Sequence, residues 1–270
     1  MNRKSVLRSQ ISTGTYQEFI NEILALVKDK VASYVCFANV HMVMEGFNGP
    51  DFQKTINNAN IVAPDGRPVS LFLSLFNKTN QERVCGMDLF PDLLKKAAEA
   101  GKSVYFYGNT DEILLRIVRK ARTDFPSLKI SGFYSPPFRV ISDDENDEII
   151  DRIKKSSPDL VFVSLGCPKQ EKWMAKNRDK IGACLLGVGQ AFSTYAGVEK
   201  RLPVWMRNLS LEWIFRLYLE PKRLWKRYLF TNSYFLWLTL NYMLLQYSNK
   251  ISGVFTKLKS TSRVFQETEE

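Results

Sequence analysis

From Met87 to Val188 short apolar runs alternate with amphipathic helical segments, a rhythm that points to a parallel α/β sheet. A helix predicted over Leu89–Ala100 closes at Gly101, and Ser103–Tyr107 follows as a strand ending at Gly108. A helix over Asp111–Thr123 leads to Pro126 and a short strand, Lys129–Phe133. A third helix, Asn146–Lys155, precedes the strand Leu160–Leu165, and a helix opening near Pro168 leads to the strand Ala183–Val188. Upstream, Tyr16–Lys28 repeats apolar residues at helical spacing. Two further strands, Tyr34–Ala38 and Asn60–Ala63, end at Asn39 and at Pro64-Asp65-Gly66. This alternation implies that helices cover both faces of the sheet. Ligands of such sheets bind beyond the carboxyl ends of the strands, where these polar and glycine-rich ends converge.

The expected layout is therefore a Rossmann-like core over 1–200, with an N-terminal part of about 1–86 and a regular part of about 87–200. A helical, basic-aromatic appendage is expected over 201–247, with a flexible tail at 248–270. The first ten residues, which lack a strong apolar pattern, are expected to be disordered as well. The appendage mixes Trp205, Trp213, Trp225 and Trp237 with Arg207, Arg216, Arg223 and Arg227. Its stretch Leu229–Tyr247 is apolar but interrupted by Asn232, Asn241 and Gln246. A spanning helix needs about 20 mostly apolar residues. Basic and aromatic flanks suit a helix lying in the interface of an anionic membrane, or else a contact between copies of the chain.

The formal charge of +10 attracts polyanions without choosing among nucleic acid, anionic lipid and phosphorylated small molecules. Cys36, Cys85, Cys167 and Cys184 are scattered, form no CxxC pair and read as small buried hydrophobes. With a single histidine, no zinc site is expected. The N-terminal residues lack the apolar stretch of a secretory signal, so the chain is expected in the cytosol.

Gly166-Cys167-Pro168-Lys169-Gln170-Glu171 runs from a strand into a helix start. Free N–H groups at a helix N-terminus attract anions, and Lys169 and Gln170 add a charge and an amide, so the turn reads as a nucleotide or phosphate site or as a well-capped structural turn. Gly187-Val188-Gly189 closes the next strand in a similar way. Asp65 sits on a tight turn at a strand end, where Asp-Gly is commonplace but a general base would also fit. No D-x-D pair is present to hold a divalent metal, and no GxGxxG for a dinucleotide. Without a metal, a departing diphosphate needs arginines, lysines or helix N-termini.

In these motifs the chain resembles the WecG/TagA/CpsF family of bacterial glycosyltransferases. The resemblance runs from about Tyr34 to Arg227. It is carried by Asn39, Pro64-Asp65-Gly66, Arg83-Val84-Cys85-Gly86-Met87-Asp88, Tyr107-Gly108, Gly132-Phe133-Tyr134, the Gly166–Glu171 run and Gly187-Val188-Gly189. Further along come Ala196-Gly197, Arg201-Leu202-Pro203, Leu211-Glu212-Trp213 and Glu220-Pro221-Lys222-Arg223 through Tyr228. The resemblance implies inverting, metal-independent transfer from a UDP-sugar, commonly of the N-acetylmannosamine type, to a sugar on a polyprenyl diphosphate, with no cofactor. It implies Asp65 as general base; Asn39, Arg83 and Gln170 lining the substrate pocket with Gly108, Gly166, Pro168, Lys169, Glu171, Gly187 and Gly189; and Arg216, Arg223 and Arg227 on the departing UDP. Products of such a transfer are cell-surface polysaccharides or teichoic acids, made at the inner face of the cell membrane.

Two departures bear on the donor. Phe37 stands where the family usually has threonine, and Ser193 where it often has aspartate. UDP-glucose and UDP-uronic acids are therefore alternative donors. The rival from another class is a basic nucleic-acid-binding protein, whose affinity would fall steeply with salt.

Overall fold

The computed structural model describes residues 1–77, 80–200, 206, 217–218, 221, 225, 231–242 and 244. The chain divides into two compact units, Met1–Leu219 and Glu220–Glu270.

The first residues form a hairpin, β1 (Asn2–Val6) antiparallel to β2 (Ser9–Thr13), where disorder was expected. Val6 and Ile11 are its buried apolar contacts. The hold is largely polar: Arg3 donates to the carbonyls of Asn57, Ala59 and Asn60, and Ser12 Oγ accepts from Val62 N at 3.1 Å. Such long-range bonds leave no periodicity in the sequence.

Helix α1 (Tyr16–Lys28) opens with a capping box between Thr15 and Glu18 and buries Phe19, Ile20, Ile23 and Val27. Strand β3 (Ser33–Ala38) leads through α2 (Val40–Asn48) and α3 (Pro50–Asn57) to β4 (Ile61–Pro64). Helix α4 (Arg67–Asn77) and α5 (Gly86–Glu99) then lead to β5 (Ser103–Gly108). The alternation continues through α6 (Asp111–Asp124), β6 (Lys129–Tyr134), α7 (Asp143–Lys155), β7 (Leu160–Ser164), α8 (Lys169–Ile181), β8 (Cys184–Gly187) and α9 (Ala191–Tyr195). The acidic run at Asp143 is a helix start, capped by Ser142 and balanced by Arg152, Lys154 and Lys155 in the last turn.

Six strands form one parallel sheet in the order β4-β3-β8-β7-β5-β6. On one face Val35, Phe37, Val104, Phe106, Phe162 and Leu186 pack with residues of α1, α5, α6 and α9. Phe90 of α5 centres this layer, with its ring 4.8 Å from Phe162 and 5.4 Å from Phe192. The other face carries α8, which touches β3, β8, α3 and α7; Trp173 lies 4.4 Å from the Tyr107 ring. Cys36 and Cys184 are buried in strands and Cys85 is buried as the N-cap of α5, whereas Cys167 is half-buried in the β7–α8 turn.

The connections decide where a ligand fits. Chain leaving β3 enters α2 and α3 on the α8 side, while chain leaving β4 passes through α4, which packs against β1, before it reaches α5 on the opposite face. Likewise β5 feeds α6 and β7 feeds α8, on opposite faces. Each neighbouring pair therefore parts at its carboxyl end and opens a crevice there.

Candidate functional site

Asp65 and Asn39 follow paired strand ends at the first crevice. Ala38 pairs with Pro64 at the last register step of β3 and β4, and Asp65 N extends the ladder by donating to Ala38 O at 3.0 Å. Asp65 thus sits one step beyond a rigid strand, half-exposed, on backbone that cannot swing freely. Asn39 is the N-cap of α2, its Oδ1 accepting from Met42 N at 3.1 Å. The Pro64 carbonyl accepts from Val84 N at 2.9 Å, which draws the segment before α5 over the end of β4 and brings Arg83 to the same corner. Arg83 pairs with Asp88 at 2.8 Å, both side chains largely buried. A carboxylate, an amide and a braced guanidinium therefore share one strand-end corner. Asp88, which fixes Arg83, was not among the expected site residues, although it closes the Arg83–Asp88 motif.

Phe37 belongs to the core rather than to this corner. It is 4% exposed, and its ring lies 3.4 Å from where a side-chain carbon on Gly86 would stand.

The second crevice is built on Gly108. A Cβ there would stand 2.3 Å from Ser164 O, so the close passage of β5 over β7 admits only glycine, which also holds φ +105°. The next residue, Asn109, takes φ +63° and donates its N–H to Ser164 O at 3.0 Å. Its Nδ2 lies 3.4 Å from both Ser164 Oγ and Ser193 Oγ, and Ser164 Oγ donates to Gly189 O at 2.8 Å. The ends of β5, β7 and β8 are thus joined by one polar cluster. Sequence reading missed Asn109 and Ser164; an asparagine following glycine at a strand end, a common left-handed position, was the available signal. Ser193, noted only as a departure, is the third member.

At the mouth of α8, Lys169 is exposed and Pro168 is the N-cap, with no side chain capping the helix. Gln170 and Glu171, expected to contact substrate, lie inside: they are 5% and 0% exposed. Gln170 Nε2 donates to Gly187 O at 2.9 Å and to Glu171 Oε1 at 2.8 Å, and its Oε1 accepts from Gly166 N at 3.3 Å. Burial pushes the Glu171 carboxyl up to about 7. Arg216, Arg223 and Arg227 lie outside the described residues. Among the described residues no group of three or more His, Cys, Asp or Glu could hold a metal ion.

The described residues of the second unit are 221, 225, 231–242 and 244, and 231–242 are helical. Tyr234, Leu236, Trp237, Leu240 and Leu244 are exposed there, Trp237 at 58%, and the Tyr234 and Trp237 rings stack at 5.9 Å. Among the described residues no helix is long and apolar enough to cross a membrane.

Several known proteins are similar to this chain. An N-acetylglucosaminyldiphosphoundecaprenol N-acetyl-beta-D-mannosaminyltransferase of Bacillus spizizenii is 34% identical over 203 residues, 75% of this chain and 77% of the relative. The protein of the same description from Bacillus subtilis is 32% identical over 209 residues, 77% and 79% of the two chains. One from Staphylococcus aureus is 27% identical over 192 residues, 71% and 74% of the two. The model of the glycosyl transferase WecG/TagA/CpsF family matches residues 4–249, and the chain belongs to that family and is a glycosyltransferase.

Proposed function

We propose that this enzyme transfers an N-acetylmannosamine-type sugar from UDP to N-acetylglucosamine on undecaprenyl diphosphate, with inversion and with Asp65 as general base. The observation that carries the reading is the Asp65 carboxylate, held by the backbone bond to Ala38 O one step beyond β4, beside Asn39 and Arg83. The described relatives, whose names state this donor sugar and acceptor, support the same substrate pair.

In the proposed reaction the acceptor hydroxyl attacks the anomeric carbon from the side opposite the diphosphate. Asp65 takes the hydroxyl proton as the new C–O bond forms. The old C–O bond breaks toward the diphosphate, and UDP leaves with its electron pair. The helix dipole of α8 and the Lys169 ammonium would offset the charge that builds on the leaving group. Arg216, Arg223 and Arg227 are assigned to the same task by the family resemblance.

The acceptor's lipid cannot leave the bilayer, so the enzyme must work at the membrane surface. The exposed apolar line of Leu236, Leu240 and Leu244, with Trp237 and Tyr234, supports an interfacial helix. The test is UDP release from UDP-N-acetylmannosamine, with UDP-glucose and a UDP-uronic acid in parallel, in the presence and absence of a short-chain lipid-diphosphate-N-acetylglucosamine. Acceptor-dependent release from the first donor supports the reading; release from another donor alone overturns the sugar assignment.

A further inference from the structure

One side chain ties together the two strand ends nearest α8. The Gln170 amide bonds the Gly187 carbonyl at the end of β8 and the Gly166 N–H at the end of β7. The fit leaves no slack: a Cβ on Gly187 would stand 3.0 Å from Gln170 Nε2 and 2.7 Å from Met174 Cε. The Gly187 carbonyl and the Gly166 N–H already fix which end of the amide faces which strand, and the Glu171 carboxyl braces it with a third bond, its Oε1 accepting from Gln170 Nε2 at 2.8 Å. Glu171 Oε2 is buried with no hydrogen-bond partner. A completely enclosed carboxyl with one oxygen unsatisfied is costly, and the turn it braces borders the crevice.

We propose that Glu171 is a positioning residue for glycosyl transfer, locking the Gln170 amide and through it the spacing between the Gly166 and Gly187 strand ends that receive the donor's diphosphate. The inference rests on the glycosyl-transfer reading above and adds to it a residue that touches no substrate.

The surroundings make this lock sensitive to pH. The Cys36 thiol of β3 and the Cys167 thiol of the turn act on the same enclosed group, and Arg3 of the hairpin acts on Cys36. From α3, Asp51 and Lys54 pair with each other at the surface. From α7, Asp143 and Asp147 pair with Lys176 and Lys180 of α8. Lys172 of α8 turns to the Phe52 ring, and β8 brings only the Gly187 carbonyl. Burial holds the carboxyl near 7, so it ionises as pH passes neutrality, and a buried negative charge then forms beside an anionic ligand's seat. By linkage, a ligand that favours the protonated form binds more weakly as that proton is lost, by at most tenfold per pH unit.

The experiment is calorimetric binding of UDP to the full chain between pH 6 and 8.5, for wild type, E171Q and E171L. The titration of UDP's own phosphate is common to all three and cancels in their ratios. The glutamine is shaped like the protonated acid but cannot ionise, so the affinity of wild type relative to E171Q should fall about fivefold across the range. E171L removes this third bond to Gln170 and should bind at least about tenfold more weakly than E171Q at pH 6. If wild type and E171Q give superimposable pH curves, or if E171L matches E171Q, the positioning role is wrong while the transferase reading stands. If wild type binds no UDP at any pH, the UDP-sugar reading fails and takes this inference with it.

Discussion

Gly108→Ala tests whether the second crevice depends on the close passage of β5 over β7. The added methyl would lie 2.3 Å from Ser164 O and 2.6 Å from the Ser164 carbonyl carbon, both backbone atoms that no rotamer change can move. Relief requires β5 to part from β7 at the Gly108–Ser164 step of their ladder. Holding alanine at φ +105° costs about 1–3 kcal/mol. Overpacking adds roughly 1–3 kcal/mol, so a total of about 2–6 kcal/mol is expected. Gly182→Ala is the matched control: φ is +72°, but nothing lies within 4 Å of its added methyl. It should cost only about 1–2 kcal/mol. For a chain of this size each kcal/mol moves Tm by about 2 °C, so losses of about 4–12 °C and about 2–4 °C are expected in thermal unfolding followed by circular dichroism. The Gly108 variant should also show a raised KM for the donor, because Asn109 is anchored through the displaced Ser164 carbonyl. Losses equal within about 1 kcal/mol would refute the contact, leaving backbone conformation as the whole effect.

Arg3→Ala removes three bonds from the guanidinium to the carbonyls of Asn57, Ala59 and Asn60. At about 0.5–1.5 kcal/mol each, the loss should be near 3 kcal/mol, read by urea unfolding, with earlier proteolysis of the hairpin. Glu171 gives a pH signature in stability. Its carboxyl is held up to about 7 in the folded state, and an unfolded glutamate titrates near 4.3. Below both values the group contributes nothing. As pH rises between them the unfolded chain loses the proton first, so stability falls by roughly 3 kcal/mol and then levels off above 7. E171Q should abolish that decline in unfolding experiments run from pH 4.5 to 7.5. Replacing Trp237 and Leu240, both exposed, with serine should cut sedimentation with anionic vesicles at least tenfold, since each buried apolar side chain contributes about 1.5–3 kcal/mol.

The parallel sheet was legible because five of its strands are largely buried and appear as apolar runs, whereas the edge strand β6, KISGFY, was placed by the alternation alone. All six are strands of the one sheet, and Asn39, Asp65 and Gly108 stand at the strand ends where the sequence put them. The hairpin was not legible. Its strands read NRKSV and SQIST, with Val6 and Ile11 as the only aliphatic side chains, and what holds it includes an arginine bonded to carbonyls more than fifty residues away. Helices α2, α3 and α4 also escaped notice, being short segments of 9, 8 and 11 residues. Within the site, the motifs pointed to Asp65, Arg83 and Gln170. The role of Gln170 as an internal clip could not be read from PKQE, because both of its strand-end partners, Gly166 and Gly187, are recognisable only once β7 and β8 lie side by side. The Asn109–Ser164–Ser193 cluster was hidden for the same reason: each member is an ordinary polar residue until the sheet brings them within 3.4 Å.

The central claim rests on Asp65. Asp65→Asn keeps the shape of the side chain and the backbone bond to Ala38 O, so the variant should unfold within about 0.5 kcal/mol of wild type. Loss of a general base lowers turnover by about 10²–10⁴-fold. The measurement is acceptor-dependent UDP release by wild type and Asp65→Asn side by side, with the donor on which wild type is active. A folded variant slowed by at least a hundredfold in kcat is the expected result. A folded variant that keeps full turnover would contradict the assignment of Asp65 as the base.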